Sequence, residues 1–167
     1  LTTSDREGRP AAEPSSFERS WHLVVDGSPS ADPGHISDHA PLEPVVQAEV
    51  YVLRRDTNEG MSLSELREIA YGGFDPVLFS PGAPPRWENV EGSFADLSFP
   101  KGVTGTRLAI NLPDPDARDD KTKFATLNVS AMHDAVNARV YILKIRCSSQ
   151  CYLDHRAEID DVMNSWT

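Results

Sequence analysis

Hydrophobic residues alternate with polar residues in several stretches of this chain, and this pattern predicts about six β-strands. The clearest alternation runs through 123–132, where small and aliphatic residues occupy every second position and Thr126, Asn128 and Ser130 lie between them. The stretch 140–147 is hydrophobic on both faces at its start, so we expect it to be buried on both sides there. The predicted strands are 21–25, 45–53, 95–99, 107–112, 123–132 and 140–147.

Hydrophobic residues at intervals of three and four predict two helices. The first opens the stretch SLSELREIAYGG, where Ser62 and Glu65 form a capping box that satisfies two backbone amides of the first turn. Gly72 and Gly73 predict the end of this helix. The second helix is predicted at 153–166. Its hydrophobic face would be formed by Ile159, Val162, Met163 and Trp166.

Polar and proline-rich segments separate these elements. Residues 1–16 have no periodicity and are predicted to be a flexible leader, so that 17–167 form a single domain. The segments 28–44 and 75–85 each contain several prolines and are predicted to be loops. The segment 54–60 is predicted to be a polar connector.

The predicted strands follow one another and do not alternate with helices. This order is typical of the α+β class with a mostly antiparallel sheet. We expect the sheet to bury one face beneath the two amphipathic helices, because each helix has a hydrophobic side that must be covered.

The C-terminal part of the chain resembles a known family. The last predicted strand contains the sequence YIL at 141–143, Tyr152 lies in the break after it, and the final helix closes on IDDVMNSW at 159–166. These features follow the helix opening SLSEL and the segment SFADLSFPKG. In this order the chain resembles the PsbP/Mog1-like superfamily, including secreted and lipid-anchored actinobacterial proteins of the LpqN type.

The resemblance implies an αβα sandwich around an antiparallel sheet. Members of this superfamily act as accessory subunits of photosystem II, as a nuclear-transport factor that binds a small GTPase, or as envelope proteins. They share no set of catalytic residues, so the resemblance does not imply an enzyme.

The charge of the chain excludes some classes of partner. There are 16 lysine and arginine residues against 26 aspartate and glutamate residues, which gives a net charge of −10. Nucleic acids bind clusters of cations, and only Arg54-Arg55 resembles one, so we expect no nucleic-acid partner. An acidic surface suits cations or a basic partner. No apolar run of about 18 residues occurs, so the sequence predicts no membrane span, and we expect the chain to reach a membrane only through an anchor outside it. We also expect a monomer.

The two cysteines, Cys147 and Cys151, lie at the junction of the last strand and the last helix. A tight corner would allow a disulfide between them, and two separate buried thiols are the alternative. Zinc needs about four ligands and a redox pair usually reads CxxC, so both are less favoured. A disulfide would favour an oxidising, extracytoplasmic compartment.

Two polar segments contain possible metal ligands. The sequence DPGHISDH places Asp32, His35, Asp38 and His39 close together, and such side chains bind zinc or calcium. Its prolines and glycine predict a loop, so an exposed polar loop is the alternative interpretation. The second segment, DPDARDD, lacks the spacing of a calcium-binding loop and is predicted to be a solvated turn. Its acidic residues are Asp114, Asp116, Asp119 and Asp120.

No catalytic signature or cofactor motif is found in the sequence. His133-Asp134 could orient a base, but a GxSxG nucleophile motif and a glycine-rich phosphate loop are both missing, so no enzyme activity and no cofactor are expected. Asn128 begins an NVS glycosylation sequon inside a predicted strand. Three tryptophans are predicted to lie in the core or at its edge. They are Trp21, Trp87 and Trp166.

Hydrophobic residues in and beside the loop 75–85 are candidates for a contact or lid segment. The alternative is that they cover the sheet. They are Phe74, Val77, Leu78, Phe79 and Trp87.

The sequence therefore predicts a non-catalytic extracytoplasmic binding or accessory protein of the cell envelope, with a protein or small-molecule partner. Two other functions stay open. One is a zinc- or calcium-binding protein that uses the His35/His39 loop, and the other is a cytoplasmic regulator of a protein partner.

Overall fold

A computed structural model describes residues 17–30, 34, 36, 40–71, 91–113, 119–120 and 123–166. Within these residues the chain forms six β-strands and four α-helices. The strands are β1 Phe17–Asp26, β2 Val45–Leu53, β3 Glu91–Ser98, β4 Val103–Pro113, β5 Phe124–Asp134 and β6 Arg139–Ser148. The helices are α1 Arg55–Gly60, α2 Leu63–Tyr71, α3 Ser149–Asp154 and α4 Arg156–Ser165.

All six strands form one sheet in the order β1-β2-β6-β5-β4-β3, and every pair of neighbours is antiparallel. The prediction of an α+β fold with a mostly antiparallel sheet is confirmed. The two central strands, β6 and β5, bury residues on both faces, as the hydrophobic start of β6 predicts. The first strand is longer than predicted, because it begins at Phe17 and not at Trp21.

Helix α2 covers one face of the sheet. The predicted capping box forms: the Ser62 amide donates to Oε2 of Glu65 at 2.7 Å, and the Glu65 amide donates to Oγ of Ser62 at 3.2 Å. The Tyr71 hydroxyl lies 2.7 Å from Oγ1 of Thr106, which ties the helix to β4, and burial raises the pKa of Tyr71 to about 12. The core beneath α2 includes Leu66, Ala70, Leu108, Ile110, Val129, Ala131, Val140 and Ile142.

Helices α3 and α4 cover part of the opposite face, so the sheet lies between two helical layers. They pack Cys151, Ile159 and Met163 against Leu143 and Ile145 of β6. The expectation that both amphipathic helices cover the same face is therefore wrong. The prediction of one continuous helix at 153–166 is wrong, because the chain forms two helices that meet at His155.

The hydrophobic face predicted for the second helix is also partly wrong. Ile159 and Met163 are buried and Trp166 packs at the edge of the core, but 43% of Val162 is exposed. A helix that rests on a sheet through one narrow stripe buries fewer positions than its hydrophobic pattern suggests.

Two further expectations are corrected by the structure. The predicted polar connector contains the short helix α1, whose exposed Arg55 and Glu59 pair at 2.8 Å. None of its residues is buried, so hydrophobic periodicity could not reveal it. Trp21 was predicted to belong to the core or its edge, but 48% of it is exposed, because it lies on the outermost strand.

Gly105 of β4 should be intolerant of a larger side chain. A Cβ atom there would lie 2.9 Å from the carbonyl oxygen of Ala131 and 3.1 Å from Cε2 of Phe99. We expect Gly105→Ala to lower the free energy of unfolding by about 1–3 kcal/mol, measured by urea denaturation.

Gly60 provides the matched control, because a Cβ atom there would meet nothing within 4 Å. Gly60→Ala should leave stability unchanged or raise it. Equal effects at the two glycines would contradict the close packing assigned to Gly105.

Candidate functional site

The face of the sheet that carries α3 and α4 is only partly covered. Residues paired across antiparallel strands point to the same side, so the side chains form rows that cross the sheet. The C-terminal end of α4 contacts the row that contains Arg107. Nη1 of Arg107 donates to Oδ1 of Asn164 at 2.8 Å, and its Nη2 lies 3.5 Å from Oδ1 of Asp160. Helix α4 ends at Ser165, so the next two rows lie beyond it.

The first of these rows is hydrophobic across all six strands, and we call it the apolar row. Its outermost member, Trp21, is 48% exposed, and Gly105 is buried near the Phe99 ring. The remaining members are half-buried, and no helix in the described part of the chain covers them. The apolar row consists of Trp21, Val50, Tyr141, Met132, Gly105 and Leu97.

The second row lies beside the apolar row and carries charge. It contains Arg19, Val52, Arg139 and Asp134 on neighbouring strands, and we call it the arginine row. The two arginines therefore flank Val52 on the same face as Trp21. We call the apolar row and the arginine row together the open band.

A cleft of about 460 Å³ marks the end of the open band at the edge of the sheet. The guanidinium of Arg19 lies 5.7 Å from the centroid of the Trp21 ring, a distance that allows a cation–π interaction. The cleft thus combines an aromatic face with two cationic groups. It is lined by Glu18, Arg19, Trp21, Val52 and Arg139.

The strand β1 extends the exposed hydrophobic surface beyond the open band. Leu23 and Val25, on the same side as Trp21, are 58% and 48% exposed. Large contiguous hydrophobic surfaces on soluble proteins usually bind a partner or a membrane.

A polar cluster lies between α4 and the sheet, next to the open band. Nε of Arg107 lies 3.4 Å from Oδ1 of Asn128, which is 1% exposed. In the described residues, Nδ2 of Asn128 and Oγ of the fully buried Ser130 have no hydrogen-bond partner. Unsatisfied buried polar groups reduce stability, so α4 is held on the sheet mainly by Arg107 and the hydrophobic contacts of Ile159 and Met163.

Glu49 is the buried carboxylate on the other face of the sheet, with 3% of its surface exposed. Its Oε1 accepts hydrogen bonds from Lys144 Nζ at 2.9 Å and from Gln47 Nε2 at 2.6 Å, and its Oε2 accepts from the Tyr51 hydroxyl at 2.6 Å. Both carboxylate oxygens are therefore occupied. This arrangement links β2 to β6 and leaves Glu49 poorly placed to act as a base.

His133 and Asp134 lie at the end of β5, as predicted, but they do not form the start of a catalytic triad. Nε2 of His133 lies 2.7 Å from Oδ1 of Asn58, whose amide nitrogen donates to the Ala135 carbonyl. Burial lowers the pKa of His133, although the nearby Asp134 opposes this shift. The imidazole therefore connects α1 to the sheet in its neutral form.

The predicted disulfide between Cys147 and Cys151 is confirmed. The two Cα atoms are 5.9 Å apart, and both residues are buried. The Oγ atom of Ser148 accepts a hydrogen bond from the Cys151 amide at 3.2 Å and so caps α3. The bond and the cap together fix the corner between β6 and the C-terminal helices.

Most of the other predicted site residues lie outside the described residues. This is the case for the metal-ligand candidates Asp32, His35, Asp38 and His39, and for the contact candidates Phe74, Val77, Leu78, Phe79 and Trp87. Within the residues described, no group of three or more His, Cys, Asp or Glu side chains could hold a metal ion.

Two weaker candidates are also placed by the structure. Asp119 and Asp120 are exposed, whereas Asp114 and Asp116 lie outside the described residues. Asn128 is buried inside β5, so the folded protein does not present its sequon for glycosylation.

Sequence analysis missed the open band. The sequence held one signal, the run of three hydrophobic residues Leu23, Val24 and Val25. In the structure all three are at least 39% exposed. Consecutive hydrophobic residues predict a strand buried on both sides equally well, so the pattern alone could not reveal an exposed edge. Among the described helices, none is long and apolar enough to cross a membrane.

Stability should depend on pH through His133, which is 4% exposed. The pKa of this group is lower in the folded protein than the ordinary value of 6.5, so the unfolded chain binds the proton more readily. We expect the free energy of unfolding to be constant above this value and to fall as the pH decreases below about 6.5.

Replacing His133 with Gln should remove that dependence, which urea denaturation between neutral and mildly acidic pH would measure. His22→Gln is the matched control, because His22 is exposed on β1, and it should retain the wild-type pH dependence. An unchanged slope in the His133 variant would assign the effect to another group.

Comparison with solved structures finds a distant similarity. The crystal structure of PA94 from Pseudomonas aeruginosa, a protein of unknown function suggested to be a regulator, has a TM-score of 0.49 and 8% sequence identity, and the match covers 90% of this chain and 84% of PA94. No protein-family model and no curated protein matches the chain.

Proposed function

We propose that this protein is a non-catalytic binding or accessory protein of an extracytoplasmic compartment, and that it binds another protein through the open band. The observation that carries this proposal is the apolar row, which crosses all six strands and continues onto the exposed residues of β1. A soluble protein that leaves such a surface open reduces its own solubility unless a partner covers it.

The dimensions of the open band favour a protein as the partner. Six strands at a spacing of about 4.8 Å give a length of roughly 24 Å, and two rows give a width of roughly 14 Å. The cleft occupies only one end of this surface, whereas a small-molecule site encloses most of its ligand. The area is smaller than a stable interface requires, so the open band would be its hydrophobic centre and β1 part of its rim.

An accessory function is also what the resemblance to the PsbP/Mog1-like superfamily implies. Members of that superfamily work by binding other proteins, and the observed α+β fold with helices on both faces of an antiparallel sheet is compatible with membership. The proposal does not depend on this assignment, because the exposed hydrophobic surface supports binding independently of ancestry.

The extracytoplasmic location is supported by the Cys147–Cys151 disulfide. Cytosolic thiol reductants keep most cysteine pairs reduced, whereas secreted and envelope proteins retain such bonds. The alternative of a cytoplasmic regulator predicts that the same two side chains are free thiols in the cell.

Cross-linking would test the proposed binding surface. A photoreactive amino acid in place of Trp21 or Leu23 should yield a discrete protein adduct in the cells that produce this protein, because both side chains point to the side of the open band. Val24 is the matched control: it is 39% exposed on the same strand but points to the opposite side.

Adducts of the same mass from all three positions, or from none of them, would contradict the assignment of binding to the open band. Trp21→Ser should in addition weaken the interaction with the identified partner by about tenfold or more, since buried tryptophans contribute strongly at interfaces.

Thiol labelling would test the compartment. Protein isolated from its own cells without reductant, then denatured and alkylated, should show no labelled cysteine, and treatment with reductant should expose both. Cys151→Ser is the control, because it leaves Cys147 unpaired and labelled without reductant. Two labelled cysteines in the untreated wild-type protein would favour the cytoplasmic alternative.

A further inference from the structure

The arginines of the open band differ from most other arginines of the described structure, because no carboxylate pairs with them. Arg55 pairs with Glu59, Arg67 with Asp96, and both Arg107 and Arg156 approach Asp160. In the described residues, Arg19 and Arg139 form no such pair, and neither does Arg54, the residue that follows β2. In a chain of net charge −10, arginines left without a carboxylate are conspicuous.

These three arginines lie together at one end of the sheet. Arg19 and Arg139 flank Val52, and Arg54 follows Val52 by two positions. A guanidinium binds a carboxylate through two parallel hydrogen bonds, and it retains its charge at any physiological pH. These three guanidinium groups can therefore each bind a further carboxylate, although the net charge of the chain by itself suggests a basic partner.

Acidic residues also lie nearby and keep their negative charge, but none of those in the described residues pairs with Arg19, Arg139 or Arg54. The carboxylate of Asp134 accepts hydrogen bonds from the Val136 amide and from the amide and side chain of Asn137, and the side-chain bond contributes most to lowering the pKa of Asp134. That carboxylate is thus committed to its own turn. Glu18 lines the cleft, but no ion pair joins it to Arg19 or Arg139.

We propose that the partner presents an acidic amphipathic helix, whose hydrophobic side rests on the apolar row and whose carboxylates meet Arg19, Arg139 and Arg54. This inference rests on the proposed function and adds the chemistry of the partner to it. A helix about 10 Å in diameter fits the width of the open band, and about 16 residues span its length at 1.5 Å per residue. Such a helix would lie across the strands, beside the end of α4.

A displayed library of helical peptides would test the proposal. Each peptide has about 16 residues, leucine at the positions of one helical side, and a mixture of Glu, Gln, Lys and Ser elsewhere. Selection on the wild-type protein should enrich glutamate over lysine at the positions that border the leucines. The affinity of an enriched peptide should fall as the salt concentration rises, because exposed ion pairs are screened.

Charge reversal separates recognition of the carboxylates from hydrophobic binding. Arg19→Glu and Arg139→Glu should each weaken an enriched peptide by about fivefold or more, and the double variant should bind the same peptide with its glutamates changed to lysine. Arg156→Glu is the matched control: its side chain is 69% exposed on α4, away from the open band, and the affinity should stay unchanged.

The outcomes distinguish this inference from the proposed function. One outcome is that the selected peptides show no excess of glutamate, and that their binding is lost in Trp21→Ser but retained in Arg19→Glu. That result would overturn the acidic partner and leave the proposed function intact. A selection that yields no binder, or binders indifferent to Trp21→Ser, would overturn both.

Two other occupants of the open band are tested in parallel. Vesicles of phosphatidylcholine with phosphatidylglycerol that sediment the wild-type protein, but not the Arg19→Glu Arg139→Glu variant, would assign the band to a lipid surface. A dimer in analytical ultracentrifugation that dissociates on Trp21→Ser would assign it to a second copy of this chain. Either result would overturn the acidic helix.

Discussion

The position of the C-terminal helices on the sheet decides what the rest of this molecule can do. The Cys147–Cys151 bond and the Ser148 cap fix the corner where α3 leaves β6, and Arg107 holds the far end of α4. Between these two points the helices cover only the rows near the end of β6. Because α4 ends at Ser165, no helix in the described residues covers the apolar row or the arginine row.

The two faces of the sheet are stabilised in different ways. On the face that α2 covers the packing is mainly hydrophobic, and its buried polar groups have partners: Tyr71 bonds Thr106, Glu49 accepts from Lys144, and His133 bonds Asn58. Beneath α4 the buried face of β5 is polar, and Asn128 and Ser130 retain unsatisfied groups. Burying a polar group without a partner costs free energy, so the α4 layer is the less stable of the two. The proposed binding surface therefore borders the more weakly held half of the protein.

The proposed contact would place an acidic segment on an acidic protein. Repulsion between two acidic molecules is largely screened beyond the Debye length, which is about 8 Å at physiological salt. Within the contact, the arginine row and the apolar row beside it would contribute most of the binding free energy. The partner would thus be selected by local complementarity, while the high overall charge keeps the protein from aggregating through its exposed strand β1.

The sequence by itself determined the class of fold, most of the strands and the capped helix α2, because each depends on local periodicity. It favoured a disulfide through the short separation of Cys147 and Cys151, but left two free thiols as the alternative. It could not reveal α1, whose residues are all polar or exposed, nor the break at His155. The open band was decided by tertiary structure alone. Its rows join residues as distant as Trp21 and Tyr141, and whether a strand is central or at the edge depends on pairing that no local pattern records. For the same reason, Trp21 looked like a core residue in the sequence and lies exposed in the folded protein.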